Sequence, residues 1–239
     1  MDLFSFIDYC ADHGCDGAEL TAYFLPPNAD RDYFNRLKRH AHLRGVSITG
    51  TAIGNNFSQP KGDFLDEQVR QAKQWIDVAA QFNAPHVRFF AGEMHEFAEG
   101  RDRVDNAIAA LNECADYAGE KGIFIGVENH GGITSDLLVE IIESVDSPWI
   151  GINLDTGNFF TNTPYKDLER CAPYAVNVQV KVSMQTPEGE KYPADFDRVV
   201  SILESANYQG FVTLEYEDKD PLAHVPEQIE RLRAAINHR

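Results

Sequence analysis

The run IFIGVENH, residues 123–130, reads as a buried strand that stops on a carboxylate and an imidazole. Three later runs end in a similar way: WIGINLDTGN at 149–158, AVNVQVK at 175–181 and FVTLEYE at 211–217. Each carries β-branched or aromatic residues and places Glu, Asp or Gln near its C-terminal end. Successive strand side chains point to opposite faces, so residues two apart share a face. That groups Glu128 with His130, Asn153 with Asp155, Gln179 with Lys181, and Glu215 with Glu217. One such carboxylate is ordinary chemistry at the start of a following helix. Four such ends in one half of a chain point to a parallel α/β barrel, which gathers its active-site groups at the C-terminal ends of its strands.

The rest of the chain alternates to match. Helical spacing is expected at 3–13, 31–44, 64–82, 103–121, 135–145, 165–171, 195–206 and 226–237. Strands are expected between them at 16–20, 46–53, 86–91, 123–129, 150–155, 176–182 and 211–215. Gly14, Gly45, Gly122 and Gly210 stand where a helix would end in a left-handed cap before the next strand. Strands apolar on both faces, alternating with helices, define a parallel α/β fold. The strand count is seven, whereas a closed (β/α)8 barrel has eight, and the sequence opens on a helix. The missing strand would be the first, lying before Met1, unless the barrel is open at that seam. No repeat or long linker divides the sequence, so residues 1–239 are read as one domain.

Length and charge narrow the classes. A chain of 239 residues suits one barrel of about 250. A formal net charge of −17 opposes phosphate backbones and argues against a nucleic-acid partner. No apolar run approaches the ~20 residues of a membrane helix, and the first residues carry no basic leader region, so a cytoplasmic protein without membrane contact is expected. Cys10, Cys15, Cys114 and Cys171 form no CxxC pair and are read as reduced thiols. Without GxGxxG, P-loop, GxSxG or HExxH, neither a nucleotide cofactor nor a serine nucleophile is expected.

The carboxylates themselves call for a cation. If Glu128, Asp155 and Glu215 converge, their mutual repulsion raises their pKa values unless a positive charge joins them. One divalent metal is the simplest solution. The oxygen-rich donor set favours Mn²⁺, with Mg²⁺ or Co²⁺ as alternatives, over Zn²⁺. Arg88, inside the apolar run HVRFF, needs a partner in Glu19, Glu128 or a substrate. His86, Asn55 and Asn56 are weaker candidates at other strand ends.

ENHGG, LDTGN, QVK and FVTLEYE, in this order, resemble the xylose isomerase-like TIM-barrel family of sugar (phosphate) isomerases and epimerases, relatives of the AP endonuclease barrels. CDGAELT looks like that family's second strand. The resemblance implies a (β/α)8 TIM barrel with one metal held by Glu128, Asp155, Gln179 and Glu215. Gln179 stands where the family usually has His, and Asn158 where a second His is common; these losses argue against the DNA-repair endonuclease branch. Lys181 matches the family's lysine and joins Glu128 and Glu215 as an expected catalytic group, as does His130 from its place on the Glu128 face. Arg88, Asn158 and Glu19 are the expected contacts to a small sugar or polyol. The expected reaction is isomerisation or epimerisation through an enediolate, by proton transfer α to a carbonyl. Two alternatives stand beside it: a lyase eliminating from a keto-inositol or 3-keto-glycoside, and a barrel that binds a sugar or partner without turnover. A homodimer fits the resemblance, with a second chain covering the edge left by the missing strand.

Overall fold

The structure, a computed structural model, describes residues 1–237; the last two residues of the span read as one domain lie outside them. The elements follow as α1 (Leu3–Asp12), β1 (Gly17–Glu19), α2 (Arg31–Arg44), β2 (Ser47–Ala52), α3 (Asp63–Gln81), β3 (His86–Phe90), α4 (Met94–Phe97) and α5 (Arg101–Lys121). They continue as β4 (Phe124–Glu128), α6 (Ser135–Ser144), β5 (Ile150–Asp155), α7 (Pro164–Cys171), β6 (Ala175–Lys181), β7 (Ser183–Gln185), β8 (Lys191–Pro193), α8 (Phe196–Ser205), β9 (Val212–Glu215) and α9 (Pro221–Asn237). Seven strands pair in the order β1-β2-β3-β4-β5-β6-β9, every neighbour parallel, and curl into a nearly closed TIM barrel.

Alternation along each strand builds two layers. In β4, Ile125 and Val127 are fully buried among apolar groups, while Gly126 and Glu128 occupy the other face. In β6, Val178 and Val180 join the apolar layer, and Asn177, Gln179 and Lys181 face the lumen. The helices cover the outer layer with Ile7, Leu37, Ile76, Leu111, Leu138 and Ile141, all without solvent exposure. Burying a side chain of that size contributes about 1.5–3 kcal/mol, so this belt is the main source of stability. Helix starts are defined locally: Asp2, Asp30, Thr134 and Asp195 each accept a hydrogen bond from the backbone N–H three residues on.

The ladder does not close. Among the described residues β1 and β9 are the two edges, with no backbone pairing between them. At the foot of this seam Phe211 lies beside Gly17, where Thr49 already fills the space a Cβ would need, 2.2 Å away. Any other residue at position 17 would force the Thr49 side chain to move.

Several sequence expectations need correction. Gly14, Gly45 and Gly122 take the left-handed cap, but Gly210 does not; Asn207, at φ 55°, ends α8 instead. The Tyr208 N–H reaches the Leu203 carbonyl at 2.9 Å there, so the turn is completed before Gly210. The hairpin β7–β8 and the short α4 were not anticipated. The final helix begins at Pro221 and carries Pro226 inside it. Leu222, whose carbonyl faces the missing N–H, is exposed, so water can serve that group.

Candidate functional site

Strand register, more than sequence spacing, decides which side chains meet. Phe90 pairs with Glu128, Asp155 with Gln179, and Lys181 with Glu215, so the C-terminal strand ends lie in one layer. Two cations serve the acids there. Arg88 Nε lies 2.8 Å from Glu128 Oε2 as an ion pair, without the alignment of a hydrogen bond. The same guanidinium donates to the Ile53 carbonyl at 2.8 Å and sits over the Phe90 ring. Asn158 Nδ2 donates to the other Glu128 oxygen at 2.9 Å.

Lys181 is the second cation. Its Nζ stands 3.3 Å from Asp155 Oδ2, 3.1 Å from Glu215 Oε1 and 2.8 Å from Glu217 Oε1. Burial alone would lower the Lys181 pKa, but the three surrounding carboxylates raise it, so the ammonium stays charged. One positive charge cannot balance three carboxylates. Glu215 retains a buried oxygen, Oε2, with no hydrogen-bond donor, and Asp155 Oδ2 has only the 3.3 Å ion-pair contact with Lys181, without hydrogen-bond alignment. Asp155 holds its other oxygen against the Gly157 N–H at 2.8 Å, and Asn129 ties its backbone in both directions.

Beneath these acids lies a closed circuit of side chains. Asn177 Nδ2 donates to Glu19 Oε2 at 3.0 Å and to Asn153 Oδ1 at 2.6 Å. Asn153 Nδ2 donates to Gln179 Oε1 at 2.5 Å, and Gln179 Nε2 returns to Glu19 Oε1 at 2.9 Å. Reversing the Gln179 amide would set its N–H₂ against the Asn153 N–H₂, so the circuit dictates its orientation. A carbonyl oxygen has two lone pairs, and Asn153 uses one of them.

Burial dominates the acid-base behaviour. It pushes both Glu19 and Glu128 up to about 7; the Asn177 hydrogen bond opposes this at Glu19 and Arg88 opposes it at Glu128. Burial likewise lifts Asp155 above the ordinary carboxylate range, against the pull of Lys181. For Glu19 and Glu128 the folded chain binds protons more tightly than the unfolded one. Their stabilising effect is therefore complete below the unfolded value of 4.5 and lost as pH rises through about 7. Chelator-treated protein is expected to melt at a higher temperature near about pH 5.5 than near about pH 8. A melting temperature that climbs across that interval would contradict the assignment.

The donor set suits a hard divalent cation. Carboxylate oxygens dominate it, two of them are buried without an aligned hydrogen bond, and Gln179 keeps a free lone pair. Among the described residues no three His, Cys, Asp or Glu side chains already form a metal cage. The Lys181 ammonium lies between Asp155 and Glu215.

The sequence profile of the xylose isomerase-like TIM barrel matches residues 7–235. The chain belongs to this family. A D-psicose 3-epimerase from Clostridium cellulolyticum H10 superposes with a TM-score of 0.82 at 16% identity, over 99% of this chain and 94% of that one. A probable 3-DHS dehydratase from Bacillus anthracis gives 0.75 at 15% identity, over 98% and 94%. At these identities the likeness is one of fold. In sequence, an uncharacterised protein of Methanocaldococcus jannaschii, MJ1311, is 23% identical, over 89% of this chain and 78% of its own length.

Most of the expected residues meet in this family member's lumen. Three contact groups lie there, Arg88 with Glu128 and Asn158, Lys181 with Asp155 and Glu215, and Gln179 with Glu19, and their charges act on one another across the lumen. His130 does not join Glu128. The strand ends at Glu128, the chain turns through a His130 N–H to Glu128 carbonyl bond, and the imidazole packs on Phe90, 3.8 Å from Glu93. His86 lies deeper, its ring occupying the space beside Gly50. Asn55 binds the Phe90 backbone, and Asn56 binds Glu96. Asn177 was missed by sequence reasoning, although its two-residue spacing from Gln179 was there to find it.

Proposed function

We propose that this chain is a divalent-metal-dependent sugar isomerase or epimerase that moves a proton on the carbon α to a carbonyl. The observation that carries the reading is a pair of buried oxygens without hydrogen bonds, Glu215 Oε2 and the Asp155 Oδ2 that only the Lys181 ammonium approaches, beside a third acid, Glu128. A cation held by Glu128, Asp155, Gln179 and Glu215, Mn²⁺ in first place, would supply Lewis acidity at the substrate oxygens. The chain's own groups do the proton work. Glu128 and Glu215 act as the two acid-base groups, one removing the α proton and the other returning it to give the isomer or epimer. With its pKa lifted to about 7, Glu128 is poised to exchange a proton near neutrality. Arg88 and Asn158 hold Glu128 in place, and Lys181 orients Glu215 and compensates the enediolate charge. Asn158, Lys181, Glu215 and Glu217 also line a surface pocket walled by β7, Lys191 and Phe160.

A second reading uses the same chemistry. An enediolate next to a leaving group eliminates, and the likeness to a probable dehydratase keeps a lyase in view. Incubating Mn²⁺-loaded protein with ketoses in D₂O tests both. Deuterium entering the α carbon with recovery of an epimer or isomer supports the first reading. Loss of water or aglycone from a keto-inositol or 3-keto-glycoside supports the second. Neither outcome across both substrate sets, in folded protein that takes up no divalent ion, leaves a barrel that binds without turnover.

A further inference from the structure

Away from the lumen, the turn between α1 and β1 builds a pair of thiols. Helix α1 ends in a left-handed Gly14, at φ 66°. The Gly14 N–H bonds to the Ala11 carbonyl at 3.0 Å, and the Cys15 N–H to the Cys10 carbonyl at 2.9 Å. These two bonds define the helix-ending motif in which the residue after the glycine packs against the residue three positions inside the cap. Here both of those residues are cysteines. With that second bond at 2.9 Å, the two Cα atoms are at most about 6.8 Å apart, the upper limit of disulfide-bridged pairs. The thiols are free and share a side-chain hydrogen bond.

The two cysteines differ in what surrounds them. Cys10 is buried beside Leu3 and Ile7 on the inner face of α1, while Cys15 is partly open to solvent. Arg233 of α9 donates to the carbonyls of His13 and Gly14 at 3.2 Å and 2.9 Å, which fixes its guanidinium over the turn. The Cys10 hydrogen bond lowers the Cys15 pKa to about 7, with Arg233 adding to the effect and burial, Asp16 and Glu230 opposing it. Cys114 and Cys171 are buried, and desolvation pushes both up to about 12.

We propose that Cys15 is a peroxide-reactive cysteine and Cys10 its resolving partner, so that oxidation ends in a Cys10–Cys15 disulfide. The Cys15 thiolate attacks one oxygen of a hydroperoxide, forming an S–O bond as the O–O bond breaks. Sulfur loses two electrons to become a sulfenic acid, and the displaced oxygen leaves as water or alcohol after protonation. The Cys10 sulfur then attacks the Cys15 sulfur. An S–S bond forms, the S–O bond breaks, and hydroxide departs with the Cys10 proton as water. A thiol reductant reverses the change.

Mass spectrometry after hydrogen peroxide treatment of the folded protein tests this. Trypsin releases residues 1–31 as one peptide holding both cysteines. Its mass is expected to fall by about 2 Da before Cys114 or Cys171 reacts. In Cys10→Ser the sulfenic acid has no resolving partner, so a dione probe should accumulate on Cys15. In Cys15→Ser the 1–31 peptide should show no loss of about 2 Da and no dione adduct, whatever the oxidation of Met1. Arg233→Gln should slow alkylation of Cys15 severalfold. Oxidation of Cys114 or Cys171 first, or no dione adduct on Cys15 in a folded Cys10→Ser protein, would overturn the proposal.

Discussion

Glu128→Gln is expected to lower turnover by about 10²–10⁴-fold, the usual contribution of a positioned acid-base group, with the fold intact. Gln has the same shape, and its side-chain oxygen can still accept from Asn158 Nδ2, as Glu128 does at 2.9 Å. Arg88 loses its counter-ion but keeps the Ile53 carbonyl and the Phe90 ring, so the site should not collapse. What disappears is the acid-base capacity and one negative donor for a cation. Manganese retained through gel filtration should fall in parallel with kcat, while circular dichroism stays the same. A variant that keeps a tenth of parental turnover would remove Glu128 from the chemistry.

Lys181→Met is expected to produce the largest loss of stability. The change leaves Asp155, Glu215 and Glu217 without the ammonium that all three contact. Breaking a buried pair by removing one partner costs about 3–5 kcal/mol, since the remaining charge has no compensation. For a chain of this length that corresponds to a melting temperature lower by roughly 6–20 °C. Scanning calorimetry with and without Mn²⁺ separates the causes. A cation at Asp155 and Glu215 takes over the role of the ammonium, so Mn²⁺ should raise the variant's melting temperature more than the parent's. At 100 times the dissociation constant, binding stabilises by about 2.7 kcal/mol, enough to recover a measurable part of the loss. Equal melting temperatures for parent and variant in chelator would show that Lys181 carries no such load.

The barrel was legible in the sequence because a buried parallel strand leaves a strong local mark. IFIGV, WIGIN and AVNVQV can hardly be anything else, and β4, β5 and β6 lie where those runs are. The acids at their ends were legible for the same reason. Partnership was legible only in part. Glu128, 40 positions away, stood among three partners open to Arg88, and the 2.8 Å contact across the β3–β4 register decides between them. Gln179 was read as standing in for a histidine, but its amide is also oriented by Glu19, which approaches from the first strand. His130 was placed on the Glu128 face by counting in twos, a rule that fails once the chain turns. The hairpin β7–β8 left little mark, since its two three-residue strands flank the acidic turn TPEGE.

The seam has a mechanical meaning. Without a ladder between β1 and β9, the barrel wall is a split hoop, and its free ends carry Glu19 and Glu215. A hoop of this kind yields first at its ends, where backbone groups have fewest partners and local opening costs least. The β9 end is held to β6 by its own ladder, whereas the β1 end is laced across the lumen to β6 by the amide circuit through Glu19. The circuit that arranges the charges is thus also a fastener between the two sides of the split. A change at Glu19 therefore acts on the clasp as well as on the charges.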